Sequence, residues 1–157
     1  MPGIGHATRD SLTSGSWQDQ GAVVCSNAGG ARDDWNAIDP NVVIDESGTP
    51  WLSFGSFWSG IKLVKLTPEG KRADNELVAL AGRKNGGAIE APFIVRRCGY
   101  YYLFVSFDKC CSGANSTYNV VVGRSRDVKG PYVDRAGTAM REGGGTQVVA
   151  SSGAWKG

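Results

Sequence analysis

The sequence predicts an all-β protein, an incomplete β-propeller of about three blades. Three observations carry that reading: abundant glycine, short apolar runs set between turn clusters, and a stretch of chain that repeats itself about fifty residues later. Of 157 residues, 23 are glycine, roughly double average usage, while the helix builders Leu, Glu and Lys are sparse. Runs rich in Val, Ile, Phe, Tyr and Trp occupy residues 41–44, 50–57, 61–66, 93–97, 100–107, 118–122 and 146–149, each bounded by Gly, Pro, Asp or Ser. Such punctuation marks short antiparallel strands. Residues 77–81 fit a helical turn or a strand equally well.

The repeat aligns Ile38-Asp39-Pro40, a Val-rich run and Trp51-Leu52-Ser53-Phe54-Gly55-Ser56-Phe57 with Ile89-Glu90-Ala91-Pro92, an Ile/Val run and Tyr101-Tyr102-Leu103-Phe104-Val105-Ser106-Phe107. A weaker echo links Gly5-His6-Ala7-Thr8-Arg9-Asp10 with Gly123-Arg124-Ser125-Arg126-Asp127, which reads as the outer half of a similar unit. A unit of about 50 residues and four strands has the size of one propeller blade. Residues 1–157 therefore divide into a partial blade (1–35), two blades (36–86 and 87–137) and the start of a further one (138–157). Equivalent positions of neighbouring blades lie at one depth beside a central channel, so Asp39 and Glu90 are expected together at one channel mouth. A lone Asp-Pro or Glu-Ala-Pro is more often a turn cap or an edge charge, and only the shared repeat position reverses that preference.

Composition excludes other classes. A net charge of +2, from 17 Lys+Arg against 15 Asp+Glu spread along the chain, lacks the clustered basic surface that nucleic acid demands. The apolar runs fall far short of the roughly 20 residues that cross a bilayer, so no membrane partner is expected. The opening residues Met1-Pro2-Gly3-Ile4-Gly5-His6 show no secretion signal.

The segments Trp35-Asn36-Ala37-Ile38-Asp39-Pro40, Phe54-Gly55-Ser56-Phe57-Trp58-Ser59-Gly60-Ile61, Glu90-Ala91-Pro92 and Phe104-Val105-Ser106-Phe107-Asp108-Lys109-Cys110-Cys111-Ser112-Gly113, continuing through Ser116-Thr117-Tyr118, resemble the arabinanases of glycoside hydrolase family 43. The resemblance runs from Gly5 to Trp155. It implies a five-bladed propeller, an extracellular or secreted protein, and inverting cleavage of α-1,5-linked arabinan or related arabinofuranosides. That family uses a Glu general acid, matched by Glu90, and an Asp that orients it and raises its pKa, matched by Asp39. The family's general base lies upstream of every segment present here, and no residue of this sequence matches it. The resemblance also implies, near the end of the complete ring, a histidine that helps hold a metal ion or water in the channel. This chain's single histidine, His6, matches a different strand, so no cofactor or metal is expected from these residues.

Further substrate contacts follow from the same segments. Trp35, Phe57 and Trp58 offer flat apolar faces for furanose rings, with packing between blades as the plainer alternative. Asn36, Ser56, Asn115, Ser116 and Thr117 supply hydroxyl and amide groups, and Arg124 is expected either to reach the channel carboxylates or to be an ordinary surface arginine. Cys98 at a turn and Cys110 beyond the following strand lie more than about 20 Å apart, too far for a disulfide. Adjacent Cys110 and Cys111 either close a vicinal disulfide, the preferred reading, as a rigid piece of cleft wall, or remain thiols.

Two functions stand: an arabinan hydrolase whose base is missing from this chain, or a non-catalytic carbohydrate-binding assembly of blades. About three blades leave apolar faces and strand edges open. A homo-oligomer, most simply a dimer joined near residues 4–8 or 146–149, is therefore expected.

Overall fold

The computed structural model of the chain describes residues 2–27 and 33–150, in which ten antiparallel strands form three sheets. A hairpin joins β1 (Gly3–Thr8) to β2 (Gln18–Cys25). A four-stranded meander follows, made of β3 (Asn41–Ile44), β4 (Pro50–Phe54), β5 (Ile61–Lys65) and β6 (Val78–Ala81). Residues 78–81 thus resolve the helix-or-strand ambiguity as a strand, because β5 offers them a free edge. The second meander comprises β7 (Ile89–Arg97), β8 (Tyr100–Phe107), β9 (Asn119–Ser125) and β10 (Thr146–Val149). β10, expected to open a further unit after residue 137, instead pairs with β9, Thr146 opposite Val122, and is the fourth strand of this sheet. Residues 151–157, including Trp155, lie outside the described residues.

The first hairpin carries the segment whose sequence echoes β9. Gly5 in β1 and Gly123 in β9 each lie on a strand that pairs with an antiparallel neighbour later in the chain, β2 or β10. The turns differ in chemistry. Asp45, between β3 and β4, accepts hydrogen bonds from Ser47 N–H, Thr49 N–H, the Ser47 hydroxyl and Trp51 Nε1. Those donors outweigh the cost of partial burial and hold its carboxyl down at about 2. Between β7 and β8, Cys98 (φ 49°) and Gly99 (φ 71°) form a two-residue left-handed turn, whose twist matches that of the strands.

The inner strands β4 and β5 of the middle sheet are covered on both faces, which is why they read as continuous apolar runs rather than alternating ones. On one side Trp51, Ile61, Leu63 and Leu80 pack against Ile89, Ile94, Leu103 and Val105 of the second meander. On the other, Leu52, Phe54 and Val64 meet Ile4, Val24 and Trp35. Each side chain fully buried here contributes roughly 1.5–3 kcal/mol relative to exposure. The outward face of the second meander is open, with Phe93 54% and Val95 36% exposed. Val42 and Ile44 of β3 are also exposed, in the groove between the middle sheet and the first hairpin. Because the strands alternate in direction, the starts of β3, β7 and β9 gather at one end of the stack.

Candidate active site

Asp39 lies two residues before β3, and Glu90 is the second residue of β7. Asp39 adopts a left-handed conformation (φ 56°), tolerable for Asp and compatible with the following proline, which disfavours the right-handed helical region. Its Oδ2 accepts the Ala91 N–H at 3.1 Å. Ala91 is itself left-handed (φ 50°) and sits at a register shift between Glu90 and Phe93. The strand is therefore kinked immediately after Glu90, and the Asp39 carboxylate anchors the kink. Both expected carboxylates stand at one end of the stack and are linked through a single peptide group.

Glu90 lines a cleft of about 510 Å3 with Phe57, Ala88, Asp108, Lys109, Cys110 and Thr117. Its Oε2 accepts a 3.1 Å hydrogen bond from the Tyr118 hydroxyl. Phe57 reaches this cleft because residues 55–57 leave β4: Gly55 N–H donates to Ile38 C=O and Phe57 N–H to Ile89 C=O, each at 2.9 Å. Gly55 has φ 126°, and a Cβ there would stand 2.7 Å from Gly60 O, so the departure requires glycine. Opposite, Arg83 pairs with Asp108 at 3.1 Å and stacks over Phe107 at 4.1 Å. The other Asp108 oxygen accepts from Asn119 Nδ2 at 2.8 Å.

The remaining expected contacts divide. Phe57 and Trp58 are exposed aromatic faces (40% and 51%), with Trp58 beside Asn27, Asp33 and Asp34 in a neighbouring cavity. Thr117 and Cys110 are on the cleft wall. Asn36 Nδ2 donates to the buried Ser56 hydroxyl at 3.0 Å, so these two satisfy each other. Asn115 is exposed in a 3-10 turn, while Ser116 is buried with its hydroxyl accepting the Ser112 N–H.

Three expectations change. Trp35 is buried and packs edge-on against Phe54 at 5.6 Å, so it is core rather than a sugar platform. Arg124 does not reach the carboxylates. β9 runs away from the cleft, placing Arg124 opposite Tyr102, four residues along β8 from Ser106, the partner of Glu90, or roughly 13 Å; its guanidinium lies over Tyr100 at 4.7 Å instead. Cys110 and Cys111 are thiols, as are Cys25 and Cys98. Cys111 takes a left-handed backbone (φ 61°) and is exposed, and the hydrogen bond from Cys111, with burial, pushes the Cys110 thiol up.

Sequence reasoning missed Ala88, Asp108 and Lys109 as cleft-lining residues, and Tyr118 and Arg83 as the partners of Glu90 and Asp108. Asp108, Lys109 and Tyr118 carried one available signal, since they flank the Cys110-to-Thr117 segment already assigned to the cleft. Arg83 and Ala88 carried none, being brought in by the chain crossing from β6 to β7. The described residues also hold no ligand set for the channel metal that the family resemblance implies. His6 stands against Gly70 in an apolar groove with Ile4, Val42 and Leu52, and among the described residues no three His, Cys, Asp or Glu side chains converge. Nor is any helix among them long and apolar enough to cross a membrane.

Among known proteins, residues 2–153 match Glycosyl hydrolases family 43. An extracellular endo-α-(1→5)-L-arabinanase of Bacillus subtilis is 50% identical over 155 residues, covering 98% of this chain and 47% of its own length. An extracellular exo-α-(1→5)-L-arabinofuranosidase of Cellvibrio japonicus is 44% identical, covering 90% and 44%. The Cellvibrio cellulosa α-L-arabinanase solved with arabinohexaose superposes with a TM-score of 0.92 at 41% identity, over 99% of this chain and 54% of that one. The chain thus spans about half the length of the relatives it matches.

Proposed function

The chain belongs to glycosyl hydrolase family 43, and on that premise we propose that it forms part of an arabinan-cleaving propeller in which Glu90 is the general acid and Asp39 its modulator. The observation that carries the reading is the Asp39–Ala91 hydrogen bond, which holds a second carboxylate against the peptide that follows a cleft-lining glutamate. Such a pair suits glycoside hydrolysis, where one protonated carboxyl must donate to the leaving oxygen and a neighbouring negative charge favours that protonated state. Phe57 and Trp58 supply exposed aromatic faces for the sugar, and Thr117 a hydroxyl. The two meanders are read as blades and the β1–β2 hairpin as the outer half of a third. The extracellular relatives favour a secreted protein, and one endo-acting and one exo-acting relative leave both modes of cleavage within its reach.

Inversion requires a further carboxylate about 6.5–9.5 Å from the acid, with water between them. Within the cleft only Asp108 offers one, and both its oxygens are engaged by Arg83 and Asn119. We therefore place the general base outside the described residues, and an assembly that binds arabinan without cutting it is the second reading. Reducing-end release from linear arabinan, set beside calorimetric binding of arabino-oligosaccharides, decides between them. The expected result is binding with at most very slow hydrolysis by this chain alone, and little change in Glu90→Gln. Strong turnover that survives Glu90→Gln would overturn the acid assignment. Strong turnover abolished by it would place the base within these residues, at Asp33, Asp34 or Asp108.

We also propose that two copies associate. Phe93 and Val95 on the outward face of the second meander, and Val42 and Ile44 beside the first hairpin, expose apolar surface of the kind that sheets normally bury. Sedimentation equilibrium is expected to show a dimer at micromolar concentration; a well-folded monomer throughout that range would refute it.

A further inference from the structure

We propose that Tyr118 is a positioning residue for Glu90: its hydroxyl holds Oε2 and leaves Oε1 as the oxygen that passes a proton to the leaving sugar. This rests on the reading of Glu90 as general acid. Tyr118 donates to Oε2 at 3.1 Å. Oε1 has no hydrogen-bond partner among the described residues and is not among their buried unpaired atoms, so it faces the open cleft. A carboxyl proton resides on one oxygen at a time, and a donor fixed on Oε2 leaves Oε1 to carry it.

The phenol is itself held in place. The loop between β8 and β9 closes on itself, with Lys109 N–H donating to the Thr117 hydroxyl and Thr117 N–H to Lys109 C=O. Directly after Tyr118, Asn119 is buried, and its Nδ2 lies within hydrogen-bond distance of Asp108 Oδ2, Thr117 O and Phe107 O. Ser106, cross-strand partner of Glu90, lies beside the same phenol. Burial above all, and then the Glu90 charge, raise the Tyr118 phenol above its usual range against the opposing Ser106 hydroxyl. Tyr118 therefore remains a donor wherever the enzyme would work.

The proton balance is simple. The Oε1–H bond breaks as the proton moves to the glycosidic oxygen, that oxygen departs as a sugar hydroxyl, and Glu90 is left as a carboxylate. As its charge grows, the Tyr118 hydrogen bond becomes charge-assisted, roughly twice as strong as a neutral one. The contact thus favours the transition state over the ground state.

Ultraviolet tyrosine titration of the full chain, of Tyr118→Phe and of Glu90→Gln tests the contact without requiring activity. Two phenols titrate above the ordinary range, Tyr118 and the more deeply buried Tyr132; one of the two is expected to vanish in Tyr118→Phe, and that same one to move to lower pH in Glu90→Gln, where the neighbouring charge is gone. If it stays put in Glu90→Gln, the proposal fails whatever the activity. A second arm compares arabinan with a nitrophenyl arabinofuranoside, whose leaving group needs no proton. Where the general base is present and arabinan turns over, loss of acid positioning is expected to slow Tyr118→Phe about ten-fold on arabinan, a part of the 10²–10⁴ that general acid catalysis supplies, and to spare the nitrophenyl substrate. Equal loss on both would mark a structural role and overturn it. The acid reading fails separately, if strong arabinan turnover survives Glu90→Gln.

Discussion

The two repeat-related segments begin alike and end differently. Trp51 to Phe57 and Tyr101 to Phe107 share a pattern at an offset of 50 residues. The second remains in its sheet to the end, with Ser106 opposite Glu90 and Phe107 opposite Ile89. The first peels away at Gly55, where its counterpart has Val105, and Phe57 bonds across to β7 of the neighbouring sheet. One unit therefore holds Glu90 while the other delivers a wall of its cleft. The strand starts differ too. Asp39 stands directly before its proline, whereas Glu90 is separated from Pro92 by the left-handed Ala91, and the extra residue makes the kink that Asp39 secures. A repeat fixes equivalent positions; single insertions and glycines turn them into different tools.

The largest break in the comparison comes from burial. Phe54, fully buried in the middle sheet, and Phe93, 54% exposed on the outer face of the second, are both strand phenylalanines. Phe54→Ala is expected to cost about 3–5 kcal/mol in urea denaturation, and Phe93→Ala only about 0.5 kcal/mol. Comparable losses would mean that a second copy already covers the outer face.

Next in size is Gly55→Ala. It forces a side chain into a left-handed position against Gly60 O, at an expected cost of about 1–3 kcal/mol, and should weaken arabino-oligosaccharide binding by displacing Phe57. Full retention of both stability and binding would show that the cleft does not depend on the peeled segment.

Asp39→Ala removes the acceptor of the Ala91 N–H and is expected to cost about 1–2 kcal/mol, whereas Asp39→Asn keeps a neutral acceptor and should cost less. Equal melting temperatures for the two variants would show that the carboxylate does not anchor the kink.

The smallest effect contrasts the two inner hairpins. The Asp45 carboxyl is depressed to about 2 in the folded chain, so it favours folding above its unfolded value near 4 and that contribution fades as pH falls towards 2. The Cys98-Gly99 turn carries no such group. Asp45→Asn should therefore flatten the acid limb of the stability profile, and an unchanged limb between pH 4 and 2 would refute the assignment.

By itself the sequence determined the all-β character, the strand positions, the repeat and the shared end of the stack at which Asp39 and Glu90 stand, because alternation, turn residues and repetition are local properties of a chain. It also contained Phe57, Thr117 and Cys110 as cleft residues, through contiguous motifs. The tertiary structure alone decided the rest. Trp35 looked like a platform and became core because the β1–β2 hairpin covers that face of the middle sheet, a contact between segments with no shared pattern. Arg124 looked close to the carboxylates, yet the antiparallel course of β9 carried it to the far end of the sheet. Tyr118 reached Glu90 and Arg83 reached Asp108 through a loop closure and a crossing between sheets, and strand spacing does not encode where a loop folds back. Side-chain burial and direction depend on what packs opposite, which is settled only when the sheets stack.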